Sequence, residues 1–229
     1  MRKLIFSVVL ISFAGIAKGQ DFGLSFSYFI PKNGYFSTPI SPFSIRGLGF
    51  NVGKYFGVQT GASLYRMSGL NAIDMPFESK DPILGPSFTL LVPLEGVIKF
   101  GSNGQEFSIK GGGFAFYSFD QKINYGNLDK AIRAHEGWDV ANSEATFDNK
   151  LGLGYQFGVE YLFYVTKQIG ISLEGNYYIG GADLGLKGSY NGATLGGNIP
   201  LTPTEFDYND SRVDFTGLEI SIGVIYSAN

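Results

Sequence analysis

The single histidine of the chain, His135, lies in "AIRAHEGWDV" (131–140), beside Glu136 and Asp139 and close to the only tryptophan, Trp138. An imidazole flanked by carboxylates is the kernel of a hydrolase or acyl-transfer site, in which histidine moves the proton and an acid orients it. Such a site also needs a nucleophile, and no G-x-S-x-G motif is present to supply one. The residues therefore point to a non-enzymatic protein, with His135 and Trp138 in a recognition loop, where tryptophan serves well as an anchor. A second group, "DYNDSRVD" (207–214), offers Asp207, Asn209, Asp210 and Asp214 as hard oxygen ligands. It lacks the spacing and closing glutamate of an EF-hand. A solvated loop is expected, with a weak Ca²⁺ site as the alternative. No cofactor or other metal is implied, and the absence of cysteine removes disulfides and thiolate ligands. A third group is scattered: Glu95, Lys99, Lys110, Glu160, Glu174 and Glu219 each stand alone inside an apolar stretch.

The elements carrying that third group are strands. In "LGLGYQFGVEYLF" (151–163) Leu151, Leu153, Tyr155, Phe157, Val159 and Tyr161 alternate with Gly152, Gly154, Gln156, Gly158 and Glu160. A period of two places the sets on opposite faces of a sheet. The same alternation marks segments near 22–30, 47–53, 58–67, 87–100, 106–119, 169–179 and 217–226, which makes eight strands. By parity the six isolated charges fall on the small, polar face. A Lys or Arg on a lipid face at mid-bilayer costs about 2–4 kcal/mol, so the polar face belongs inside and the apolar face outside. An eight-stranded interior is just filled by side chains. The interior charges therefore read as a hydrogen-bonded ion-pair plug, with an ion or proton path as the alternative. Gly152, Gly154 and Gly158 relieve crowding there. Arg46 and Arg66 share parity with lipid-facing neighbours, which calls for snorkelling at a rim or for a bulge.

Loop lengths sort by parity. The connections at 31–43, 68–86, 120–149 and 180–212 are long, and those at 54–57, 101–105 and 165–168 are short. Outer-membrane barrels have short periplasmic turns and long outer loops. Aromatics gather near both ends: Tyr55, Phe56, Phe100, Tyr161, Phe163 and Tyr226 near the turns; Tyr28, Tyr65, Tyr117, Phe119 and Tyr177 near the loops. Amphipathic rings favour the two interfaces. A short helix is expected over 128–135. Residues 1–19, with Arg2 and Lys3 before an apolar stretch and small residues at Ala17 and Gly19, read as a secretory signal peptide; 20–229 form one barrel domain. Losing Arg2, Lys3 and Lys18 leaves 14 basic residues against 20 acidic ones, a net charge of −6 with no basic run for nucleic acid.

"LVPLEGVIKF" (91–100), followed by a polar turn and "FSIKGGGFAFYSF" (107–119), resembles a hairpin of small outer-membrane β-barrel proteins of the porin-like β-barrel domain family. "GLGYQFGVEYLF" with "ISLEGNYYIG" looks like its later hairpin, and "GLEISIGVIYSAN" like its closing strand. The resemblance covers nearly the whole mature chain. It implies an all-β, eight-stranded antiparallel up-and-down transmembrane barrel, similar in architecture to OmpA- and OmpX-type proteins, in the outer membrane of a Gram-negative bacterium. The expected role is a non-catalytic binding or scaffold subunit acting through its long loops. Its partners would be outer-membrane lipid and a larger outer-membrane complex. A narrow channel for small solutes or ions is the alternative.

Overall fold

The computed structural model describes residues 22–36, 43–197 and 203–227. The signal-peptide reading of 1–19 lies outside the described residues. Eight long strands form the body: β1 (Phe22–Pro31), β2 (Phe43–Val52), β3 (Phe56–Met67), β4 (Ser87–Ser102), β5 (Gln105–Phe119), β6 (Gly152–Tyr164), β7 (Ile169–Asp183) and β8 (Gly217–Tyr226). Each pairs antiparallel with its neighbours in sequence, and β1 closes on β8 from Phe22↔Tyr226 to Pro31↔Gly217. The sheet is thus an up-and-down barrel without a free edge, the form in which strands cross a membrane with every backbone group paired within the sheet.

The alternation is inverted relative to a soluble sheet. Leu94, Leu153, Tyr155 and Phe157 are 57–63% exposed on the outer wall, whereas Ser63, Glu95, Lys110, Gln156 and Glu219 are at most 3% exposed inside. No helix among the described residues is long and apolar enough to cross a membrane; the outer wall is the lipid-facing surface. The turn between β4 and β5 uses Asn103 and Gly104, both at positive φ (55° and 80°), the backbone that two-residue hairpins require.

Two local faults shape the wall. The register of β2 with β3 shifts between Ile45 and Leu48, at Gly47 with φ 76°, which marks a β-bulge. Residues before and after the bulge therefore have opposite parity. On β4, Pro93 has no N–H, and pairing with β3 skips from Thr60↔Leu94 to Ser63↔Leu91. Thr60 Oγ1 bridges that gap by donating to the Pro93 carbonyl.

At the long-loop end the interior turns aromatic. Phe29, Phe114, Phe116, Tyr178 and Phe215 pack together, with Phe215 stacked 4.4 Å from Phe116 and 4.6 Å from Phe29. Gly152 and Gly154 are the seats of this plug, since a Cβ there would meet the Phe116 ring at 2.1 Å and the Phe114 ring at 2.5 Å. Fully burying each ring contributes about 1.5–3 kcal/mol.

Above the plug the long connections fold into a cap. Helix α1 (Tyr125–Glu136) starts at Asn124, whose side chain accepts from Asn127 N, and ends at Gly137 in the left-handed region. It extends beyond the segment expected from sequence at both ends and buries Leu128, Ala131 and Ile132. It packs on a three-stranded sheet of Thr204–Tyr208, Leu186–Ala193 and Val140–Thr146. Gly34–Tyr35 pairs with Gly69–Leu70, and Ala72–Ile73 with the strand Arg212–Asp214. Leu84 bridges to Ile123. Every long loop is thereby tied to another.

Candidate functional site

Two regions gather chemistry-bearing residues: the barrel interior and the cap. Inside, Lys110 Nζ lies 2.8 Å from Glu160 and 3.2 Å from Glu174. Arg46 is 4% exposed, pairs with Glu219 and stands 4.0 Å from Glu174. Glu219 also accepts from Tyr65, from Tyr178 at 3.4 Å, from Asn176 Nδ2 at 3.1 Å and from Ser221 at 3.0 Å. Glu95 accepts from Gln59 Nε2 at 2.8 Å and from Gln156 Nε2. Asn176 fits beside Glu174 because β6 carries Gly158 opposite it; a Cβ there would come 1.9 Å from Asn176 Oδ1. A chain of hydroxyls, Ser221–Ser27–Ser44–Ser63, runs at 2.7–2.8 Å per step. Carboxylates removed from water need such donors, because an unpaired buried charge costs several kcal/mol.

Of the six charges singled out in the sequence, Glu95, Lys110, Glu160, Glu174 and Glu219 share this network. Lys99 stands further toward the turn end, half-buried and 3.4 Å from Glu106, and lines one chamber with Lys110 and Glu160. Parity sets Arg46 among the lipid-facing residues, and the structure corrects this. The Gly47 bulge turns it inward, where it becomes one of the network's two cations. Arg66 remains outside at the rim, its guanidinium 6.0 Å from the centre of the Phe88 ring. Tyr65, expected in the outer aromatic belt, is fully buried beside Glu219. It shares parity with Gly61 and Ser63, so the alternation did contain that signal. Below the network a chamber of about 30 Å³ adjoins Gln59, Lys99, Lys110 and Glu160, room for roughly one or two waters. Above it the aromatic plug fills the bore.

The cap is held by polar clamps and rings. Lys130 donates to Asp81 at 2.6 Å, and Tyr35 reaches the same carboxylate at 3.5 Å. The Lys130 hydrogen bond, then its charge, holds the Asp81 carboxyl below the ordinary value, and Asp81 raises Lys130 in return. Tyr190 donates to Glu136 at 2.7 Å. Burial, then that bond, pushes the phenol up to about 12. Rings continue across the cap, with Trp138 edge-on to Tyr190 at 5.9 Å and Tyr208 stacked on Phe206 at 4.8 Å.

His135 is exposed near the end of α1, its ring 5.6 Å from that of Phe77. Trp138 is half-buried against Gly192, where a Cβ would meet its ring at 2.0 Å, so it braces the cap instead of standing free. The four oxygen-bearing residues of 207–214 do not share one coordination sphere. Asp207 lies in a strand opposite Lys187, and Asn209 and Asp210 form the next turn. Asp214 is buried, accepting from Asn33 and from Thr216 N, both at 3.0 Å. Among the described residues no group of three acidic or histidine side chains is arranged to hold a metal ion.

No family profile and no curated protein matches the chain. Solved structures do. The outer membrane protein OprG from Pseudomonas aeruginosa superposes with a TM-score of 0.51 at 13% identity, over 91% of this chain and 95% of that one. A major outer membrane protein from Thermus thermophilus gives 0.42 at 12% identity, over 91% and 98%. Ail, the attachment invasion locus protein of Yersinia pestis, gives 0.39 at 11%, over 91% and 96%. At 13% identity the OprG likeness speaks for the fold alone. That fold is the small, closed outer-membrane barrel, and the apolar outer wall is the surface such a barrel presents to lipid.

Proposed function

We propose that this chain is a non-catalytic outer-membrane barrel whose extracellular cap is a preorganised platform for a partner at the cell surface. One observation carries the reading: the long loops are knit into a single folded cap over a bore already filled by ion pairs and rings. Loops on a rigid scaffold are where binding function concentrates, and preorganisation removes the ordering cost that flexible loops bring to an interface. A channel would instead spend its interior on an open path. The rival is tested in planar bilayers. The purified barrel is expected to insert without stepwise conductance. Reproducible single-channel steps that vanish on heat denaturation would replace the platform with a pore.

A further inference from the structure

The periplasmic mouth departs from the charge of the rest of the molecule. The mature chain is acidic overall, yet Lys54, Lys99 and Lys167 converge on one concavity of about 670 Å³. It lies among the three short turns and the end of β8. Glu106 is the only carboxylate among the residues that line it, and Lys99 already meets it at 3.4 Å. Lys54 lies over the Tyr55 ring at 5.2 Å, and neither Lys54 nor Lys167 has a carboxylate within ion-pair distance among the described residues. Asn103 and Thr166 add hydrogen-bonding groups to the same wall.

The mouth is also braced. Lys99 N donates to the Tyr55 carbonyl at 2.7 Å and Tyr164 N to that of Gly104 at 2.8 Å, while Ser227 N donates to the Gln168 carbonyl at 2.8 Å. Thr166 Oγ1 accepts from the N–H groups of Gln168 and Ile169 at 3.2 and 3.0 Å, which leaves its hydroxyl proton for a ligand. Each turn is thus fixed to a strand or terminus, and the lysines spring from anchored backbone. Ammonium groups approaching from different turns suit a compact, multiply charged anion better than a planar one, because lysine acts as a point charge without a fixed fork.

We propose that this mouth binds a soluble phosphate or phosphate ester from the periplasm. The site is independent of the cap and of any partner the cap takes. The test uses the full mature barrel in a maltoside detergent, with inorganic phosphate as the probe and ³¹P line width as the readout. Saturable broadening is expected, with a dissociation constant of about 1 mM, weakened about tenfold in Lys54→Gln/Lys167→Gln. Both side chains lie in turns, and retained heat-modifiable migration shows that the double variant is folded. The extracellular Lys187→Gln variant is expected to bind as the parent does. Absence of saturable broadening overturns the proposal, as does equal affinity in the double variant. A second arm repeats the titration in phospholipid nanodiscs. Binding that persists there supports a soluble ligand; binding lost there makes the mouth a lipid-headgroup seat and overturns it.

Discussion

Glu219 shows what a charge inside this barrel requires. It is completely buried and takes donors from β2, β3, β7 and its own strand. Removing one partner of such a network leaves the others unpaired. Lys110→Met removes the cation of Glu160 and leaves Glu174 only Asn176 and the more distant Arg46; it is expected to cost about 3–5 kcal/mol, read as a lowered urea midpoint of the folded barrel in detergent. Tyr65→Phe removes one donor to Glu219 and is expected to cost about 1–3 kcal/mol by the same readout. Parity alone located five members of the network, because a strand alternates strictly. It misplaced Arg46 because one residue of bulge at Gly47 reverses the count. Gln59 and Asn176 were legible as inward positions but not as partners, since pairing depends on the stagger between strands.

At the scale of elements, the eight strands and the alternation of short and long connections were visible in the sequence. The cap sheet was not. Val140–Thr146 reads "VANSEAT", with no large apolar residue after Val140, because its inner face meets α1 through Ser143 and Ala145. Small residues at a close contact leave no hydrophobic period to detect. The contact between Gly192 and Trp138 makes this layer testable. Gly192→Val is expected to displace the indole, shifting emission of the sole tryptophan to the red while heat-modifiable migration of the barrel is retained. Clamps between cap elements respond to pH. The Asp81 carboxyl is held below its ordinary 3.8 by Lys130, so its contribution is present above that value and lost as pH falls below it. Lys130 is raised above 10.5 by Asp81, so its contribution is lost only as pH rises past that value. Protection of cap amides from hydrogen exchange is therefore expected to be level from about pH 5 to 10 and to fall on the acid side. In Asp81→Asn that acid-side fall is expected to be smaller.

The whole molecule is three layers along one axis: a braced basic mouth, a charged and then aromatic bore, and an acid-rich folded cap. The outer wall commits it to lipid, and the filled bore leaves the two ends as its water-facing surfaces. Trp138 braces the cap and Asp214 anchors it. The platform proposed above must also engage a partner. The most direct measurement is mild-detergent extraction of the tagged protein from outer membranes, with native sizing and mass spectrometry of the eluate, for the parent and for Gly192→Val. The account predicts a stoichiometric companion with the parent that is lost when the cap is loosened and the barrel remains folded. Elution of the parent alone at monomer size, or a companion retained equally by the loosened cap, would contradict it.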